Sequence, residues 1–369
     1  MKSLFIFGTR PEAIKLAPLI KEFEATPDFD LEVCITAQHR EMLDQVLDFF
    51  KIKPDYDLNL MKPNQNLFAI TADALTGLKE VIEESKPDLI IVQGDTTTAF
   101  AGALAGFYKQ IKIAHVEAGL RSNNLYSPFP EEANRLMIGQ LADYHFAPTQ
   151  KAFENLQSVN KQNVWDVGNT VIDALLLGLE LIEDNDSSIL SSFEGIDFSK
   201  RIILVTAHRR ESFGEPFENI CNAIRDIAEE FEACEIVFPV HLNPNVRQVV
   251  SKILSDIKNV HLIEPLDYPK FIWLINKSFL IITDSGGVQE EAPTLGKPVL
   301  VIRDETEREE GITAGTAKLV ATNRESIYSS AYRLLTNEHE YNKMANAVNP
   351  YGDGTTSKQI VKILKEVYC

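Results

Sequence analysis

The chain has no G-x-G-x-x-G run, no C-x-x-C pair and no apolar stretch near the roughly 20 residues that a membrane span requires. The missing glycine fingerprint sets aside the usual dinucleotide-binding turn. The four cysteines, Cys34, Cys221, Cys234 and Cys369, show no zinc spacing with one another or with histidine, so they read as reduced and structural or incidental. Basic residues are scarce. With 36 Lys and Arg against 54 Asp and Glu the formal charge is −18, which argues against a nucleic acid partner. Any anion site must then be a local exception, built from particular Arg, Lys and His side chains and backbone N–H groups. The apolar run at residues 4–7 is too short for a signal-peptide core, so a cytoplasmic protein is expected, with no membrane association.

What is present is ordinary for a globular enzyme: 44% hydrophobic and 24% charged residues over 369 positions, a length that points to two domains. Short apolar runs alternate with longer amphipathic stretches. Residues 4–7, 31–36, 89–92, 111–115 and 144–147 predict strands, with helices near 11–24, 40–50, 67–84, 98–108 and 131–141. The pattern restarts with strands at 202–206, 235–239, 260–263, 279–283, 298–302 and 319–321 and helices near 217–231 and 269–275. This βαβ order predicts an α/β fold of two Rossmann-like, doubly wound parallel sheets, with a seam near 166–173. Ligands of such sheets bind at the carboxyl ends of the strands.

The segments that follow the strands sort into two kinds. Thr283-Asp284-Ser285-Gly286-Gly287-Val288-Gln289-Glu290-Glu291 leaves an apolar strand and enters a helix expected over 288–295, presenting backbone N–H groups as a seat for phosphate. Without the dinucleotide fingerprint, it suggests a nucleotide-sugar site. His208-Arg209-Arg210 and Arg308 follow other strands of the same half and suit a pyrophosphate, unless they are solvated turns. In the first half, Arg10 and Lys15 put cations at a helix start, where the dipole disfavours them, so an anion nearby would explain them. Asp95 reads equally as an N-cap or as chemistry. Glu117 lies too close to a buried strand end for easy capping, and Glu131 and Glu132 also suit a helix first turn. Clustered carboxylates of this kind raise at least one pKa and supply a proton carrier. A nucleotide docking on the second half, with its attached group meeting the carboxylates of the first, is the expectation.

These same motifs, Gly8 to Lys15 (GTRPEAIK), Asp95 to Thr98 (DTTT), His115 to Arg121 (HVEAGLR), Pro130 to Arg135 (PEEANR), Thr206 to Glu211 (TAHRRE) and Asp284 to Pro293 (DSGGVQEEAP), together with Asn349 to Gly354, resemble the non-hydrolysing UDP-N-acetylglucosamine 2-epimerases of bacteria. The likeness runs in order from residue 4 to about residue 363. It implies a GT-B-like fold with a cleft between its domains: residues 1–168 plus 353–369, carrying the acid–base carboxylates, and residues 169–352, binding UDP. It implies reversible epimerisation at C2 of UDP-GlcNAc to UDP-ManNAc through elimination of UDP, a 2-acetamidoglucal intermediate and re-addition. It further implies a homodimer, no metal and no redox cofactor, and a product feeding cell-surface polysaccharide. Asp95, Glu117 and Glu131 then look like the acid–base group and His208 like the stabiliser of departing UDP. Arg10, Lys15 and Arg308 look like added positive charge, Ser285, Gly286 and Gly287 like the diphosphate cradle, and Glu291 like the ribose ligand. Arg135 is counted with the substrate-binding group. Phe271 resembles a residue packing near uracil, or is an ordinary core aromatic.

Three departures from the family pattern stand out. Glu309 replaces a proline beside Arg308, which points to weaker UDP binding. Gln93 replaces a histidine. Glu41 and Asn64 stand where members activated by a second substrate molecule carry Gln and Arg, although Gln38, Glu131 and His241 remain. The competing readings are a hydrolysing epimerase releasing ManNAc and UDP, a GT-B glycosyltransferase, and a non-catalytic nucleotide-sugar sensor.

Overall fold

The computed structural model describes residues 1–37, 40–60 and 65–368. The chain divides into two compact units, Met1–Leu177 with Tyr351–Cys369, and Gly178–Pro350. In the first, β1 (Lys2–Phe7), β2 (Asp30–Ile35), β3 (Tyr56–Asp57), β4 (Leu89–Gln93), β5 (Lys112–Val116), β6 (Tyr144–Ala147) and β7 (Val164–Asp166) form a parallel sheet ordered β3-β2-β1-β4-β5-β6-β7. In the second, β8 (Arg201–Thr206), β9 (Cys234–Pro239), β10 (Val260–Ile263), β11 (Ser278–Thr283), β12 (Val299–Val301) and β13 (Ala317–Leu319) are ordered β10-β9-β8-β11-β12-β13. A helix separates every consecutive pair of these strands. The helices cover both faces, which is why the central strands are continuous apolar runs: Leu4, Phe5, Ile6 and Phe7 of β1 and Leu280, Ile281 and Ile282 of β11 are fully buried.

The fold class follows the expectation, while several element bounds do not. β3 and β7 are additional strands of two and three residues. β13 lies two residues earlier than expected, because Ala321 adopts φ +55°, outside the extended region. The helix expected over 288–295 starts earlier, as Gly286–Glu291, and tightens into a 3-10 turn over Ala292–Leu295. Among the described residues no helix is long and apolar enough to cross a membrane.

Each sheet reverses its winding once, between β1 and β4 in the first unit and between β8 and β11 in the second. Those two points, at the carboxyl ends of the strands, are where open α/β sheets bind ligands. At the first, Gly8 leaves β1 so tightly that a Cβ would fall 2.0 Å from Thr36 Oγ1 and 2.7 Å from Thr98 Oγ1, both buried. Gly8→Ala is therefore expected to lower stability by about 1–3 kcal/mol through overpacking. The check is a reduced thermal midpoint of the purified variant, and an unchanged midpoint would show that the turn yields freely.

Candidate active site

In the first unit, side chains of four strand-end segments converge at the switch point. Asp95 follows the turn Gln93-Gly94 after β4, and Gly94 takes φ +69°. His115, buried in β5, holds that turn through Nε2, 2.7 Å from the Gly94 carbonyl. Burial pushes the imidazole down to about 4, so it is neutral near pH 7 and Nε2–H is the donor. Asp95 is clamped by Arg135, whose Nε donates at 2.8 Å and Nη2 approaches to 2.7 Å, while Asn134 Nδ2 donates to the Asp95 carbonyl at 2.9 Å. Burial raises the Asp95 pKa, Arg135 opposes this, and Glu117 and then Glu131 add to the rise at smaller weight. A carboxyl group so placed exchanges protons more readily near neutrality than a solvated aspartate does.

Glu117 directly follows β5 at φ +63°, a conformation that costs a residue other than glycine about 1–3 kcal/mol and persists where surroundings over-determine it. Here they do. Lys15 Nζ lies 2.5 Å from Oε1, Gln93 Nε2 donates to Oε2, and Asn169 Nδ2 reaches Oε1 at 3.5 Å. Lys15 thus reaches a carboxylate on another strand end, and Arg10, the first residue of helix Arg10–Glu24, is half-buried beside Thr9. Glu131 opens helix Glu131–Leu141 and is half-buried. Its neighbour Glu132 is structural: it accepts the Ser122 and Asn123 N–H groups at 3.0 and 3.2 Å and pairs with Arg135 at 3.1 Å. Burial works against ionisation of Glu132, yet these donors hold it below its ordinary value.

In the second unit, β8 and β11 run side by side at the switch point, their last residues joined by Thr206 and Thr283 hydroxyls 2.5 Å apart. Asp284 follows directly. Its Oδ2 accepts the His208 and Arg209 N–H groups at 2.6 and 2.8 Å, and Oδ1 lies 3.3 Å from His208 Nδ1. Asp284 beside it raises the His208 pKa above its ordinary 6.5, and the Asp284 pKa falls in turn against the burial that would raise it. The His208 and His241 rings stack with centroids 5.4 Å apart. Ser285 caps the helix Gly286–Glu291, and Ser285, Gly286 and Gly287 are half-buried at its start. Arg308 lies across Gly286: a Cβ there would sit 3.3 Å from the guanidinium carbon. Its Nε donates to buried Glu290 at 2.8 Å and Nη1 to Glu307 at 3.0 Å. Glu309, the family proline position, is exposed at the start of the next helix.

Glu291 is buried and accepts the Tyr268 hydroxyl at 3.4 Å; Phe271 is half-buried on the same helix, Tyr268–Lys277. Among the described residues no group of His, Cys, Asp and Glu is arranged to hold a metal ion. Of the residues read as bearing on activation by substrate, Glu41 is exposed on helix Arg40–Phe49, whereas Gln38 and Asn64 lie outside the described residues. Glu12, Asn134 and Asp284 lie inside the motifs without roles of their own; each has a partner 39 to 84 residues away, which no local pattern could show.

The family model for UDP-N-acetylglucosamine 2-epimerase matches residues 21–365. The chain is 54% identical over 370 residues to the UDP-N-acetylglucosamine 2-epimerase of Escherichia coli strain K12, covering 99% of this chain and 98% of that protein. It is 55% identical over 366 residues to that of Bacillus subtilis strain 168, covering 99% and 95%. The crystal structure of UDP-GlcNAc 2-epimerase from Neisseria meningitidis bound to UDP-GlcNAc is similar at TM-score 0.90 and 51% identity, over 99% of this chain and 100% of that one. A likeness of fold alone extends, at 11% identity and TM-score 0.65 over 100% and 99% of the two chains, to sucrose-phosphate synthase from Thermosynechococcus elongatus. The two sheets are thus those of a GT-B-like fold. With identity above half sustained over nearly its whole length, the chain belongs to the UDP-N-acetylglucosamine 2-epimerase family, consistent with the bacterial non-hydrolysing members.

Proposed function

We propose that this protein interconverts UDP-GlcNAc and UDP-ManNAc by inverting C2 through elimination and re-addition of UDP. A carboxylate removes the C2 proton. The C2–H electron pair forms the C1–C2 double bond of 2-acetamidoglucal, and the C1–O bond breaks with its electrons leaving on UDP. Return of a proton to the opposite face of C2 and re-formation of the C1–O bond give the epimer. The observation that carries this reading is the gathering of Asp95 and Glu117 at the ends of adjacent strands, one with a raised pKa and the other fixed between Lys15 and Gln93. General acid–base work at a weakly acidic carbon needs such a pair.

In this reading Asp95, Glu117 and Glu131 form the acid–base group, and the unit that carries them handles the sugar. The unit of His208 and the Ser285–Gly287 turn takes the UDP moiety. His208 and Arg308 stabilise the charge developing on departing UDP, with Arg10 near the anion. Ser285, Gly286 and Gly287 cradle diphosphate, Glu291 takes ribose, and Phe271 packs near uracil. The enzyme works as a cytoplasmic homodimer and feeds ManNAc-type precursors to cell-surface polysaccharide. The test is proton NMR of purified protein with either nucleotide sugar in water. The two anomeric signals are expected to approach one ratio from both directions. Stoichiometric free ManNAc and UDP instead would mark a hydrolysing enzyme, and an unchanged spectrum would overturn the reading.

A further inference from the structure

We propose that Glu12 is a positioning residue that fixes the Asp95 loop against the Arg10 loop, an inference that rests on the function proposed above. Glu12 is 1% exposed, so it does not meet substrate. Its Oε2 accepts the Gly8 N–H at 3.1 Å, the Thr9 N–H at 2.8 Å and the Thr9 hydroxyl at 2.7 Å, and its Oε1 accepts the Thr96 hydroxyl at 2.7 Å. Helix capping accounts for the Thr9 N–H bond alone. The others do something further. Thr96 is the N-cap of helix Thr97–Tyr108, its hydroxyl accepting the Ala99 N–H at 3.0 Å, and Asp95 immediately precedes it. Thr9 is the N-cap of helix Arg10–Glu24, and Arg10 immediately follows it.

One buried carboxylate therefore ties together two helix starts on either side of the first unit's switch point, each carrying a residue of the candidate site. The same helix reaches Glu117 one turn later through Lys15. Glu12 and Lys15, three residues apart on one helix face, set the spacing between the strand end of Asp95 and that of Glu117. Reacting groups misplaced by about an ångström lose on the order of a hundredfold in rate, so the tie acts on turnover rather than on nucleotide affinity.

The experiment compares Glu12→Ala and Glu12→Gln with wild type by steady-state epimerisation, UDP titration calorimetry and thermal denaturation. Wild-type turnover is established first; its absence would count against the proposed function and leave Glu12 out of question. Given wild-type activity, Glu12→Ala is expected to lose about a hundredfold in kcat while KM and UDP affinity change less than about threefold. Glu12→Gln is expected to stay within about fivefold of wild type. Its amide oxygen keeps the Gly8 and Thr9 donors, and its NH2 group donates to the Thr96 hydroxyl, which has a second lone pair free of Ala99. A folded Glu12→Ala with wild-type kcat, or one losing UDP affinity in step with kcat, would overturn the assignment. If Glu12→Ala does not fold, Thr96→Val cuts the Oε1 tie while leaving the Gly8 and Thr9 bonds of Glu12 in place; it also removes the Ala99 cap, whose loss reads out in the thermal midpoint. The same loss confined to kcat, restored in Thr96→Ser, is then expected, and an unaffected kcat would overturn it.

Discussion

Asp95→Asn is expected to lower kcat by about a hundred- to ten-thousandfold, the range that one positioned acid–base group contributes. The substitution is nearly isosteric. Arg135 keeps its contact with Glu132 at 3.1 Å, and Asn134 still donates to the backbone carbonyl of position 95, so neither group is stranded. What disappears is the ability of a half-buried carboxyl, with its pKa raised by burial, to take and return a proton. UDP affinity by calorimetry is expected to hold within about threefold, because the residues assigned to UDP, Arg10 apart, sit on the other unit. A variant within tenfold of wild-type turnover would remove Asp95 from the acid–base group.

His208→Asn is the second large effect, expected to cost about a hundred- to a thousandfold in kcat, as removal of one charge-stabilising donor does. The pair with Asp284 also sets a pH dependence whose sign can be worked out. Asp284 favours the protonated imidazole, so the folded pKa of His208 exceeds 6.5. The stabilisation of the fold from this proton is complete below the unfolded value and fades as pH rises through the folded one. The Asp284 contribution, with its folded pKa depressed below 3.8, fades in the other direction, as pH falls through that depressed value. Activity follows the imidazolium: kcat is expected to decline on the alkaline side as pH passes the raised pKa. Asp284→Asn removes the charge that raises it and is expected to move this alkaline limb to lower pH. A limb that stays in place in Asp284→Asn, or survives in His208→Asn, would assign it to another group.

Much of this was legible in the chain itself. Central strands such as β1, β4, β8 and β11 are apolar on both faces and bounded by turn residues, so alternation with amphipathic helices reveals them without any knowledge of neighbours. The first sheet's edge strands, β3 and β7, were not legible. β3 is two residues, and its pairing of Cys34 with Tyr56 and Ile35 with Asp57 is imposed by β2 rather than by its own pattern. The residue types of the site could be listed because strand-end segments carry function. Their partnerships could not. Lys15 read as a cation in search of an anion, but the carboxylate it meets lies 102 residues onward. Glu12 stood inside the first motif with no role of its own, and only the sheet order brings Thr96 to it. Asp284 read as part of a phosphate turn, whereas its carboxylate also binds the His208 and Arg209 N–H groups and raises the His208 pKa.

The central claim, that C2 loses and regains a proton by way of enzyme carboxylates, is tested most directly by incubating the protein with UDP-GlcNAc in D2O and following C2 by proton NMR. The account predicts UDP-ManNAc carrying deuterium at C2, with exchange into the starting sugar nucleotide and little free sugar at early times. UDP-ManNAc that keeps its original C2 proton in bulk D2O would contradict it.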